Sequence, residues 1–305
     1  MNKVAAIVVT YNRKQLLKEN ISCLMSQTLR EKMDIVIIDN HSSDGTKEVL
    51  NDFIKSQEIL YRDTGRNLGG AGGFSFGARF AAECGYEYIW LMDDDCMPNP
   101  TALEAFLAAD RDLKGNYGFL SSKVLWKDGK ICKMNIQRKS LAKNVTDFQS
   151  RFSPVFMASF VSLFLPVKIV LELGIPIQEF FIWTDDWEYT RRISRKYPCY
   201  LVNQSVVVHK SEHNFGASIE NDVEGRLDRY RYLYRNDVYL YRREGMLGFF
   251  YELFRLSAHC LRVVVKAKNC RRKRIACILC GTAAGLRFHP KITYIEKKGD
   301  QVNGF

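Results

Sequence analysis

The sequence predicts an α/β protein: a mostly parallel sheet flanked by helices, followed by a helical, basic C-terminal extension. Three observations carry this expectation. Short β-branched runs alternate with segments of helical spacing through the first third of the chain. The runs at residues 4–9 and 34–39 are almost wholly apolar rather than alternating, as strands buried on both faces require. Past Met246, apolar and basic residues interleave.

The elements follow in order. Residues 4–9 form the first strand. Over 13–27, Leu16, Leu17, Ile21, Leu24 and Met25 share one side of a helix. Residues 34–39 are the second strand, 40–45 a loop rich in turn and N-cap residues, and 47–54 a helix. Residues 59–62 are a third strand. The glycine-rich stretch 65–77 reads as a loop that enters a helix over 76–84. Residues 88–92 are the fourth strand, ending in Asp93, Asp94 and Asp95. Right-handed crossovers between parallel strands place ligands at their carboxyl ends, so Asp39 and the three aspartates are expected to line one crevice. Beyond Pro98 the pattern is mixed. It predicts a helix at 103–109, strands at 118–126 and 131–135, a polar loop at 139–151 and a buried run at 155–166. A helix opening at 182–189, a strand at 199–209 and an arginine- and tyrosine-rich helix at 224–243 complete it. The expected division is a domain at 1–245, with halves 1–98 and 99–245, and an amphipathic basic region at 246–305.

Composition excludes disorder and fibrous repeats: 47% of residues are hydrophobic, enough for a sizeable core. The net charge of +11 favours anionic partners. The basic residues do not follow a nucleic-acid-binding pattern, so no nucleic-acid partner is expected. Nine scattered cysteines read as thiols in a reducing compartment; Cys277 and Cys280 have C-x-x-C spacing, but inside an apolar run and without a second pair. No run of about 20 apolar residues lacks charges, and the N-terminus enters a strand directly, so a cytoplasmic protein is expected.

Four groups carry candidate chemistry. Adjacent carboxylates at a strand end repel one another unless a cation such as Mn²⁺ or Mg²⁺ neutralises them, and such a cation can also bind a diphosphate. Glycines beside Arg66 suit close approach to a diphosphate or to sugar hydroxyls, although the stretch is neither a Walker loop nor a dinucleotide fingerprint. Asp185 and Asp186 follow an aromatic run, where a carboxylate can act as a general base or simply cap a helix. His209, at the end of a β-branched strand, can ligate a metal or pack structurally.

Together these motifs resemble family 2 glycosyltransferases of the GT-A fold: Thr10-Tyr11-Asn12-Arg13, then Asp39-Asn40 to Asp44-Gly45, then Arg66-Asn67-Leu68-Gly69-Gly70, then Asp93-Asp94-Asp95. The resemblance covers roughly residues 3–245. It implies that Thr10, Tyr11, Arg13, Asp39, Arg66, Asn67, Gly69, Gly70 and Asp94 bind a nucleotide-sugar donor. It implies that Asp93, Asp95 and His209 hold Mn²⁺ or Mg²⁺, and that Asp186 is the catalytic base. Trp183, Asp185, Trp187 and Glu188 are the acceptor-side candidates. The stretch from Asn67 to Phe74 and the Trp-x-Asp-Asp-x-Glu-Tyr run at 183–189 point to the galactofuranosyltransferase and rhamnosyltransferase branch. The expected function is therefore inverting, metal-dependent hexosyl transfer, with galactofuranosyl favoured and dTDP-rhamnose as the alternative donor. The expected acceptor is a bacterial cell-surface glycan or its lipid-linked precursor, reached from the inner face of the plasma membrane through an anionic membrane surface. The Gln-x-x-Arg-Trp motif of processive synthases is missing. Two other classes compete. A nucleotidyltransferase would carry a glycine-rich basic loop after the first strand, and a non-catalytic glycan-binding protein would not need the aspartates.

Overall fold

The computed structural model describes residues 4–295; the expectations for residues 1–3 and 296–305 lie outside the described residues. Among the described residues the strands are β1 (Val4–Thr10), β2 (Met33–Asp39), β3 (Ile59–Asp63), β4 (Tyr88–Asp93), β5 (Cys96–Pro98), β6 (Leu120–Trp126), β7 (Phe152–Pro154), β8 (Leu163–Pro166) and β9 (Tyr200–His209). The helices are α1 (Lys14–Met25), α2 (Thr46–Val49), α3 (Asn51–Lys55), α4 (Gly69–Glu83), α5 (Ala102–Asp112), α6 (Val167–Leu173), α7 (Asp185–Ser194), α8 (Tyr230–Arg242), α9 (Gly245–Lys266) and α10 (Arg271–Arg287).

One sheet runs β3-β2-β1-β4-β8-β6-β9-β5, with β7 also paired to β9. β3, β2, β1 and β4 are parallel throughout. In the other half β8 runs antiparallel to both β4 and β6, so the whole sheet is mixed. The continuous apolar run of β1 has a plain cause. Val4, Ala6 and Val8 join α1 and α5 residues such as Leu17, Ile21 and Phe106 on one face. Ala5, Ile7 and Val9 join Phe74 and Ala78 of α4 and Tyr189 and Ile193 of α7 on the other. Register then sets the crevice: Thr10 lies opposite Asp39, and Val9 opposite Asp93, so the strand-end acids share one edge.

Several expected elements differ. The glycine-rich stretch is mostly helix, since α4 starts at Gly69. Glycine costs roughly 1 kcal/mol per residue in a helix, and here packing overrides that. A Cβ on Gly77 would sit 2.4 Å from Ile7 Cγ2, so the missing side chain lets α4 lie directly on β1. The helix expected at 47–54 is broken at Leu50 into α2 and α3. The strand expected at 131–135 reduces to one bridge, Leu125 to Ile131, followed by a 3-10 turn at Lys133–Asn135. The helix expected at 224–243 begins as a 3-10 turn at Glu224–Arg229.

α8, α9 and α10 share a cluster of Tyr230, Tyr234, Val263, Ala267, Cys277 and Ile278. Arg255, Arg262 and Arg274, which lie in the basic region expected from sequence to meet an anionic membrane surface, turn toward the protein instead. Arg255 pairs with Asp237 and Glu252, each at 2.7 Å, and Arg262 reaches Glu220 at 3.6 Å. Arg274 is buried against the Ile219 and Asp222 carbonyls. All nine cysteines are free.

Candidate functional site

The strand ends bring the aspartates together with β9. Cys96 of β5 pairs with the backbone position of His209, which puts the imidazole beside Asp95: Nε2 to Oδ1 is 3.1 Å. Arg13, at the end of the β1 loop, donates to Asp95 Oδ2 at 2.7 Å and reaches Asp94 Oδ1 at 3.4 Å. Thr10 Oγ1 donates to Asp94 Oδ2 at 2.7 Å. Burial, reinforced by the charge of Asp95, lifts the Asp93 carboxyl to about 7. Burial lifts Asp94 to about 6 against the pull of Arg13. Burial pushes Asp95 the same way, but the His209 and Arg13 contacts hold it below the usual carboxylate range.

Ligand atoms of Asp93, Asp95 and His209 all lie within 4.8 Å of one another. Two carboxylates and one imidazole suit a hard divalent cation. The surroundings of His209 fit this use. Its Nδ1 lies 2.8 Å from Asn135 Oδ1, and the Asn135 amide is oriented by its Nδ2, which donates to Ser159 Oγ at 3.0 Å. The proton thus belongs on Nδ1, leaving Nε2 to face the aspartates. Burial alone would lower the His209 pKa, but the hydrogen bonds to Asp95 and Cys132 and the nearby carboxylates raise it to about 10. Arg13 and protonated His209 offset the charge of the carboxylates, and His209 would have to give up its Nε2 proton to ligate a divalent cation.

The second acid pair opens α7. Asp185 is buried, while Asp186 is partly exposed and accepts the Trp187 N–H at 2.7 Å. Burial raises Asp185 to about 7. Burial, then the charge of Asp185, raises Asp186 well above its ordinary value, and Asp93 adds to the effect. The two acid clusters are therefore within electrostatic reach of one another.

The loop leading to Asp186 is strained. Phe181, Trp183 and Thr184 have φ of 63°, 65° and 68°, which non-glycine residues rarely adopt. Two residues that the sequence reading missed hold it. Asn236 Nδ2 donates toward the carbonyls of Phe180, Ile182 and Trp183 at 3.0, 3.1 and 2.9 Å. Asp237 Oδ1 accepts from Thr184 Oγ1 at 2.7 Å. A buried Asn-Asp pair among tyrosines and arginines, in a helix that neither residue favours, was the available signal. Replacing Asn236 by alanine is expected to leave these carbonyls unpaired and to lower stability by about 1–3 kcal/mol in urea unfolding. Unchanged stability would show that the loop holds itself.

The remaining candidates divide. Asp39 is buried, with its carboxylate engaged by Tyr61 OH at 2.6 Å and the Ser42 N–H at 2.8 Å. Tyr11 and Arg66 are exposed at the crevice edge. Asn67 Oδ1 accepts the Gly69 N–H at 2.8 Å, and Gly70 faces open space. Gly69, with φ of 71°, lies against the loop before Asp186: a Cβ there would come within 2.1 Å of the Phe181 carbonyl oxygen. The start of α4 is thereby joined to that loop. Trp183 packs on Tyr230, with ring centres 5.1 Å apart, and Trp187 lies under the Arg138 guanidinium at 4.4 Å. Glu188 is buried in an ion pair with Arg192 at 2.7 Å, and so is turned away from the crevice.

Residues 5–149 match the family model described as glycosyl transferase family 2. The chain is 35% identical over 102 residues to galactofuranosyltransferase GlfT1 of Mycolicibacterium smegmatis, covering 33% of this chain and 32% of the relative. It is 27% identical over 200 residues to GlfT1 of Mycobacterium tuberculosis, covering 63% of this chain and 64% of the relative. The matched region thus spans less than two thirds of either relative's length. Among solved structures, S. aureus TarS 1–349 superposes with a TM-score of 0.53 at 13% identity, over 91% of this chain and 70% of that one. GalNAc-T7 with UDP, GalNAc and Mn²⁺ superposes with a TM-score of 0.58 at 16% identity, over 81% of this chain and 51% of that one. These likenesses are ones of fold. Residues 5–149 thus match glycosyl transferase family 2, and the sheet with its strand-end acids builds a GT-A fold.

Proposed function

We propose that this chain is an inverting, divalent-cation-dependent glycosyltransferase. It moves a hexosyl residue, galactofuranosyl, from a nucleoside diphosphate donor to a hydroxyl of a bacterial cell-surface glycan or its lipid-linked precursor. The observation that carries the reading is the ligand set of Asp93, Asp95 and His209 gathered at the strand ends, with Asp186 at the head of α7 within reach of the Asp93 charge. The printed names of the curated relatives support the galactofuranosyl donor.

In this reading residues 1–98 hold the donor, residues 99–245 hold the acceptor, and 246–305 reach the inner face of the membrane. Thr10, Tyr11, Arg13, Asp39, Arg66, Asn67, Gly70 and Asp94 line the donor side. Asp93, Asp95 and His209 would hold Mn²⁺ or Mg²⁺, which when bound offsets the charge of the departing diphosphate. Arg13 gives up its contact with Asp95 as the donor enters and turns its guanidinium to the diphosphate. Asp186 accepts the acceptor hydroxyl proton as that oxygen attacks the anomeric carbon from the face opposite the leaving group. Its raised pKa gives it the basicity to do so, and the loop held by Asn236 and Asp237 fixes its position. Trp183 and Trp187 wall the acceptor side. Glu188 serves as the partner of Arg192.

The test is a donor screen with mass detection of the glycoside formed. UDP-galactofuranose is expected to give product, and dTDP-rhamnose little. Transfer from dTDP-rhamnose alone would replace the donor assignment. Nucleotide exchange without glycoside formation would replace the reaction class.

A further inference from the structure

Helix α9 is amphipathic in the reverse sense for a helix packed on a protein. Its charged and polar side chains face inward. Arg255 bridges Asp237 and Glu252 at 2.7 Å, Tyr234 OH lies 2.8 Å from His259 Nδ1, and Arg262 reaches Glu220. Its large apolar side chains face outward. Leu247, Phe250, Leu253, Phe254, Leu261 and Val265 are each between 51% and 75% exposed. At 100° per residue these six fall within an arc of about 120°, a continuous stripe along the helix. Their exposure is a feature of the folded state, because the inward side is fixed by paired buried charges that cannot be turned to make room for them.

We propose that this stripe is a docking surface for an anionic lipid bilayer, with α9 lying in the plane of the membrane and its apolar side chains entering the acyl boundary. The argument for a bilayer rests on charge and length. Lys266, Lys268, Arg271 and Arg272 follow directly at the end of the stripe and are exposed. A second copy packed in parallel on this stripe would bring two such collars together and repel, and one packed antiparallel would leave each collar without a partner, whereas anionic headgroups neutralise both the charge and the apolar stripe together. A helix of 22 residues carrying Glu252, Arg255 and Arg262 does not cross a membrane; among the described residues no helix is long and apolar enough to do so. Such a helix lies at the interface. The outward side of α10 continues the same chemistry with Leu279 and Leu286, both exposed.

The surface is also tied to the crevice. Arg255 on α9 meets Asp237, and Asp237 holds Thr184 just before Asp186. The membrane-facing helix therefore braces the loop that positions the proposed base.

Sedimentation of the full chain with vesicles tests this, and the readout needs no donor or cation, so it stands or falls apart from the catalytic reading. Vesicles of phosphatidylcholine alone are compared with vesicles of phosphatidylcholine and phosphatidylglycerol. The expected result is pelleting with the anionic vesicles, weakened by salt. The double variant Phe250→Ser, Phe254→Ser should bind about tenfold or more weakly, as should the triple variant Lys268→Gln, Arg271→Gln, Arg272→Gln. Both should keep a cooperative melt. As a check that does not depend on weakening the surface, Phe254→Trp should show fluorescence quenched by brominated lipids. Equal, negligible binding to both vesicle types, or no quenching of the new tryptophan, overturns the proposal. So does a dimer in sedimentation velocity that the serine pair dissolves while vesicle binding stays absent, which would assign the stripe to a second copy.

Discussion

Replacing Asp186 by asparagine is expected to lower turnover by roughly two to four powers of ten while leaving donor binding nearly intact. The amide keeps the shape of the carboxylate and its place beside the Trp187 N–H, but it cannot take a proton. The donor side of the crevice is built from other elements, so the loss should fall on kcat, and an acceptor-free titration of the donor should change little. Burial and the charge of Asp185 hold the Asp186 pKa above its ordinary value, and the active form is the deprotonated one. The wild-type rate should therefore rise with pH through that raised pKa, and the asparagine variant should lose this limb. Asp185 supplies the contrast: it is buried at the helix start, and Asp185→Asn should be the milder change. The reverse ranking would assign the base to Asp185.

Asp95→Ala is expected to abolish cation-dependent turnover and to leave the fold in place. Asp95 is the centre of the cluster, since His209 and Arg13 both contact it. Without it Arg13 loses its nearest carboxylate, and a divalent ion would enter a site with one carboxylate fewer beside that guanidinium. Mn²⁺ binding followed by electron paramagnetic resonance should weaken at least as much as turnover does. Asp95→Asn, which preserves volume, separates lost ligation from lost packing and should behave like the alanine variant in the Mn²⁺ titration. Near-normal turnover of either variant in EDTA would mean that the cluster serves structure alone.

Much of this arrangement is legible in the sequence where local pattern and tertiary environment agree. The apolar runs of β1, β2 and β4, each ending in a polar residue, gave both the parallel half of the sheet and the shared edge of Asp39 and Asp93, because strand burial on two faces leaves a direct trace in composition. His209 was legible as a strand-end residue, but its bond to Asn135 was not, since the turn at 133–135 reads locally as a strand. The glycines of α4 misled because helix propensity counts against them, while the gain comes from contact with Ile7, far away in the chain. The hold of Asn236 and Asp237 on the loop before Asp186 depends on a crossing of elements some fifty residues apart, which no local window contains. For α9 the amphipathic period is legible in the sequence, but its sense is not. Only the buried partners Asp237 and Glu220 decide which side of the helix faces the protein.

The most direct measurement supplies the full chain with UDP-galactofuranose and a hydroxyl acceptor, with Mn²⁺, with Mg²⁺ or with EDTA. It follows UDP release together with the anomeric configuration of the product by nuclear magnetic resonance. The account predicts acceptor-dependent UDP release that requires a divalent cation, and a glycoside whose anomeric configuration is inverted relative to the donor. Product formed at the same rate in EDTA, or a glycoside with retained configuration, would contradict it.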